Sequence, residues 1–184
     1  MSQTYSAAHL DVPRFTREGA ELSGSDALSK HERLILEALE PQAPATLNTP
    51  VTWRALGELV EDASGHQQHW LHLQAHTAIP MTCQRCLTPV QVHLDVDQSF
   101  RFVASEDEAM EQDDEAEEDL LVLSREFNLS ELVEDELLMA VPLVPRHEVC
   151  PGDLKMTAAD DDFEQDDEKA NPFAVLANLK NKPN

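Results

Sequence analysis

A chain of 184 residues with 41% hydrophobic and 27% charged positions can bury one core, and an aromatic content of 5% makes that core largely aliphatic. Its 36 acidic against 13 basic residues give a formal net charge of -23, which opposes the sequence-independent grip on phosphate that most nucleic-acid binders use. Apolar runs such as Leu137 to Val144 fall far below the ~20 residues of a membrane-spanning helix, Met1-Ser2-Gln3-Thr4 does not open a secretory signal, and three cysteines do not make a disulfide framework, so a reducing cytoplasm is expected.

Asp11 to Gly19 and Ser29 to Leu39 are predicted as helices. In the second, Leu34, Ile35, Ala38 and Leu39 recur at helical spacing, Ser29 is the expected cap with Glu32 three residues on, and Pro41 ends it. Pro41-Gln42-Ala43-Pro44 is a rigid connector. From Val51 the period becomes two. Val51, Trp53 and Ala55 alternate with Thr52 and Arg54; Leu71, Leu73, Ala75 and Ile79 alternate with His72, Gln74 and His76; Val90, Val92, Leu94 and Val96 alternate with Gln91, His93, Asp95 and Asp97, followed by Phe100 and Phe102. These are half-buried strands of an antiparallel sheet. Asp62-Ala63-Ser64-Gly65 links the first two strands, and Cys83 to Pro89 turns the chain between the second and third.

Glu106 to Asp119 carries ten acids and no base, and Asp153 to Lys169 eight acids and two bases, so these runs supply -16 of the -23. Both are too poor in apolar residues to offset ordering entropy and are expected to be solvated and disordered. Leu120 to Leu123 is a candidate further strand. Asn128 then caps a helix with Glu131 at its third position, and Leu129, Leu132, Val133, Leu137, Ala140 and Val141 form its apolar stripe up to Pro142. The acids Glu131, Glu134, Asp135 and Glu136 lie early in this helix, where its dipole favours negative charge. At the end, Asn171 and Pro172 start a short amphipathic helix bearing Phe173, Leu176 and Leu179, a candidate docking module. The expected organisation is a single α+β domain over 1-150, an antiparallel sheet of about four strands packed by helices with a disordered acidic loop near 104-119. An acidic linker over 151-170 and a helical tail over 171-184 follow.

The chemistry concentrates in the cysteines. Cys83-x2-Cys86 upstream of His147-x2-Cys150 has the ligand types and pairing of a structural zinc site, the alternative being three reduced thiols. A thioredoxin-like CxxC would open a helix in a βαβ unit, whereas this one joins strands. His66, His69, His72 and His76 stand near helical spacing, but the strand alternation puts His72 and His76 on an outer, solvated face. The common enzyme signatures (GxSxG, a lysine-bearing phosphate loop, HExxH) are missing, and no catalytic residue is expected. Arg85 inside CxxC and Arg146 beside His147 are candidate contacts to RNA or a partner if the two pairs meet. The acidic runs would attract and steer a basic partner.

Three blocks carry a resemblance. Cys83-Gln84-Arg85-Cys86-Leu87, then Leu132 to Leu138 running into Val141-Pro142-Leu143-Val144-Pro145-Arg146-His147, then Asn171-Pro172-Phe173-Ala174-Val175-Leu176 resemble, in that order, the bacterial YceD family of large ribosomal RNA subunit accumulation proteins. The resemblance implies a non-enzymatic accessory role in the synthesis, processing or stability of large-subunit ribosomal RNA. Its expected partners are that RNA or a basic ribosomal or assembly protein. An acidic adaptor or chaperone for such a protein, acting on the RNA indirectly, is the alternative.

Overall fold

The computed structural model describes residues 5-62 and 64-152. Five strands form its sheet: β1 (Glu21–Ala27), β2 (Pro50–Glu61), β3 (Gln67–Thr82), β4 (Pro89–Val103) and β5 (Asp119–Val122), in spatial as in chain order. Four α-helices accompany them, α1 (Val12–Arg17), α2 (Pro44–Leu47), α3 (Glu106–Gln112) and α4 (Leu129–Met139), which makes the fold α+β. The alternation read from the sequence is the sheet's burial pattern. Val51, Trp53 and Ala55 on β2, Leu71, Leu73, Ala75 and Ile79 on β3, and Val90, Leu94, Val96, Phe100 and Phe102 on β4 all enter the core. Register keeps them on one face, with Ala75 opposite Trp53 and Val96, and Leu71 opposite Gly57 and Phe100.

Two helices cover that face. Asp11 caps α1 through its carboxylate to the Arg14 amide, and α1 packs over β2 and β3 with Phe15 fully buried. Gly57 permits the approach: a Cβ there would lie 2.6 Å from the Phe15 ring and 2.9 Å from the Phe15 carbonyl oxygen. Asn128 caps α4 as expected, accepting from the Glu131 amide, and Leu129, Leu132, Val133 and Leu137 bury against β3 and β4.

Four features depart from the sequence reading. The segment from Ser29 to Leu39 is not a helix but a strap of two 3₁₀ turns, Leu28–Lys30 and Leu34–Glu37. Its backbone is satisfied from outside: the Glu134 carboxylate of α4 accepts from the Arg33 and Leu34 amides at 2.7 and 3.1 Å, and the Leu39 amide donates to Pro80 on β3. Leu28, Leu34, Ile35 and Ala38 still bury, so apolar spacing alone does not separate the two conformations. The second departure is β1, whose Glu-Leu-Ser-Gly-Ser-Asp-Ala has no apolar alternation. It pairs along β2, Gly24 making room for the Trp53 indole and Glu21 meeting Arg54 through two 2.8 Å bonds.

The remaining two concern the acidic run, expected as a disordered loop. It holds α3, capped by Ser105 with Glu108 reaching back to the Ala104 amide, and it ends at β5. Arg101 on β4 clamps it, its side chain only 13% exposed, donating to Gln112 at 2.8 Å and pairing with Glu118. Such a crossover lets the chain return parallel to β4, so the sheet is mixed rather than purely antiparallel. Among the described residues no helix is long and apolar enough to cross a membrane.

Candidate metal centre

The turn between β3 and β4 is wound tightly by its own backbone. The Leu87 amide donates to the Cys83 carbonyl and the Cys83 amide to the Thr88 carbonyl, both at 2.9 Å, with Leu87 held at φ 59°. That left-handed residue is exposed, and the turn it closes sets Cys83 and Cys86 side by side. Beyond α4, Pro142 ends the helix and the chain runs back to this turn, where the Gln84 amide donates to the Pro145 carbonyl at 2.8 Å. The bond delivers His147 and Cys150 to the first pair.

The ligand atoms of Cys83, Cys86, His147 and Cys150 all lie within 4.8 Å of one another. Cys83 Sγ stands 3.8 Å from Cys150 Sγ, and Cys86 Sγ 3.4 Å from His147 Nδ1. A tetrahedron with zinc bond lengths has S···S edges of about 3.8 Å and S···N edges of about 3.5 Å. The histidine is set for its part: Nε2 donates to the Pro89 carbonyl at 3.0 Å, which leaves the Nδ1 lone pair facing the thiols. Among the described residues this is the one group of three or more cysteine, histidine or acidic side chains arranged to hold a metal ion.

The electrostatics favour thiolate in the first pair. Burial opposes charge on Cys83, but amide donors from Cys86, His147 and Arg85 more than offset it and bring its thiol down to about 5. Bonds from Thr88, whose hydroxyl lies 3.1 Å from Cys86 Sγ, lower Cys86. Contact with the Cys83 thiolate raises His147, and burial raises Cys150. Arg85 sits within the cluster, its Nε donating to Cys150 Sγ at 2.9 Å and Nη2 to the His147 and Glu148 carbonyls at 3.1 and 3.3 Å. Arg146 is exposed beside it.

The fold thus brings together all four candidate ligands that the spacing offered, while the Thr88, Pro89 and Pro145 partners, backbone groups for the most part, leave no signal in residue type. His72 bonds Glu58 and Ser99, and His76 bonds Asp95, all on the outer face of the sheet. Phe173, Leu176 and Leu179 lie outside the described residues.

Residues 71-180 match the model of a family described as large ribosomal RNA subunit accumulation protein YceD. The chain is also similar to the large ribosomal RNA subunit accumulation protein YceD of Haemophilus influenzae, 37% identical over 110 residues covering 56% of this chain and 61% of that protein. It therefore spans less than two thirds of the length of this relative. No solved structure matches.

Proposed function

From the premise that this chain belongs to the YceD family of large ribosomal RNA subunit accumulation proteins, we propose that it is a non-enzymatic, cytoplasmic accessory factor in the synthesis, processing or stability of large-subunit ribosomal RNA. We further propose that it is organised around one structural zinc ion held by Cys83, Cys86, His147 and Cys150. The observation that carries the metal reading is the gathering of three sulfurs and one imidazole within 4.8 Å of one another, from segments more than 60 residues apart, with the Cys83–Cys150 and Cys86–His147 pairs at tetrahedral edge lengths. Zinc would supply structure rather than reactivity, because four protein ligands leave no position open for water or substrate. Three thiolates and one dication leave a net charge of about -1, which the Arg85 guanidinium at Cys150 would balance.

The ribosomal role rests on the family, and the acidic charge bears on how it is exerted. With -23 overall and Arg85 engaged at the cluster, the surface favours action through a basic protein of the large subunit over a direct hold on RNA phosphates. Replacing the chromosomal gene by a Cys83→Ser form and measuring the ratio of large- to small-subunit ribosomal RNA tests the combined reading. A fall toward the level of the deletion strain is expected. An unchanged ratio in cells whose variant protein has lost its metal would separate the centre from the function.

A further inference from the structure

Sheets are weakest in specificity at their edges, where every second backbone N–H and C=O faces outward without a partner. Here β1 is one edge and β5 the other, but β5 covers β4 only from Phe100 to Val103. From Pro89 to Ser99, β4 is hydrogen-bonded along β3 and, among the described residues, to no other backbone group; its only other backbone contact is the His147 ring on the Pro89 carbonyl. The corresponding reach of β3 differs, since Thr77 bonds the Pro50 carbonyl and Leu39 the Pro80 carbonyl. The open edge runs about 35 Å at about 3.3 Å per residue. It is bounded by the cysteine turn at one end and by β5 at the other.

Proteins commonly protect such an edge with lysine, an interior proline or a bulge. Between Val90 and Ser99 none of these occurs, and the register with β3 is unbroken. What the edge carries instead is acid: Asp95 and Asp97 are exposed on the outer face beside His93, while Val92 on the inner face is only partly buried. Past the far end of the edge lie the ten acids from Glu106 to Asp119. A second copy of this chain would bring another -23 to the same place, whereas an extended cationic segment meets opposite charge at Asp95, Asp97 and the acidic run beyond the edge.

We propose that the edge of β4 from Val90 to Ser99, open among the described residues, is a docking strand for an extended, lysine- or arginine-rich polypeptide segment, which joins the sheet as a further strand. Backbone pairing supplies the hold, the acids at 95 and 97 select charge at alternate positions, and small apolar residues at the intervening positions continue the inner face, which Val92 leaves partly open. This deepens the reading of the protein as a partner of basic ribosomal proteins. It is independent of the metal, so it is tested by peptide binding rather than by zinc content or ribosomal RNA.

The experiment uses the full chain at physiological salt and a fluorescent peptide of alternating lysine and valine, long enough to span the edge. Two further peptides carry the same side chains but are N-methylated at all lysines or at all valines. Antiparallel pairing with β4, with the lysines on the face of Asp95 and Asp97, uses the amides of one parity only, so one methylated peptide should bind on the order of tenfold more weakly than the other. Hydrogen exchange should show new protection within 90-99 when the unmodified peptide binds, and Asp95→Lys with Asp97→Lys should weaken it by about tenfold. Equal binding by the two methylated peptides would reduce the interaction to charge attraction and overturn the proposal. Concentration-dependent protection of the same amides without peptide would overturn it in favour of a second copy of the chain.

Discussion

Glu134 and Glu136 stand two residues apart on α4, each 9% exposed, and the structure uses them in opposite ways. Burial disfavours charge on Glu134, but the Leu34 and Arg33 amides and the Arg33 side chain outweigh it and hold its carboxyl below the ordinary 4.5. Its contribution to stability is therefore complete above about pH 4.5 and is lost as pH falls through the lowered value. Glu136 is raised by burial and by the nearby Asp119 and Asp135 charges, so its protonated form is favoured, and that benefit disappears as pH rises through the raised value. At pH 7, Glu134→Gln should cost about 1.5 kcal/mol in denaturant melts by losing a charged acceptor, while Glu136→Gln should leave stability unchanged or higher. Equal losses would show that the two carboxylates are not distinguished in this way. At Gly57 the constraint is steric, and Gly57→Ala should destabilise by about 1–3 kcal/mol because the obstacle includes the backbone of α1.

Among the elements, β2, β3 and β4 were legible in the sequence because each has one buried face, which writes a period of two into residue type. The cap of α4 was legible for a similar reason: Asn128 and Glu131 act locally. What stayed hidden depends on distant partners. The strap over Ser29 to Leu39 has helical apolar spacing, yet its amides are claimed by Glu134 a hundred residues away. The acidic run looked free because its anchor, Arg101, lies on a strand before it. Cutting that anchor with Arg101→Ala should cost about 2 kcal/mol. Amides of 107-118 should then exchange faster, while those of Leu71 to Ile79 keep their protection, as read by hydrogen exchange with mass spectrometry. Unchanged exchange across 107-118 would mean that the run is ordered without Arg101.

For the molecule as a whole, the cysteine turn and the exit of α4 are two ends of a long-range tie, closed by four side chains whose identity the sequence announced by spacing alone. The ligand types were legible; their meeting was not, because it depends on the Gln84 to Pro145 backbone bond and on the Pro89 carbonyl that orients His147. If zinc fills this tetrahedron, metal binding and the docking of the segment after Pro142 onto the sheet are one equilibrium. The most direct test is X-ray absorption at the zinc edge on protein purified without added metal, with metal content and melting temperature measured before and after chelation. The account predicts close to one zinc per chain, three sulfurs at about 2.3 Å and one nitrogen at about 2.0–2.1 Å, and a lower melting temperature once the metal is removed. Metal-free protein whose melting curve responds to neither zinc nor chelator would contradict it.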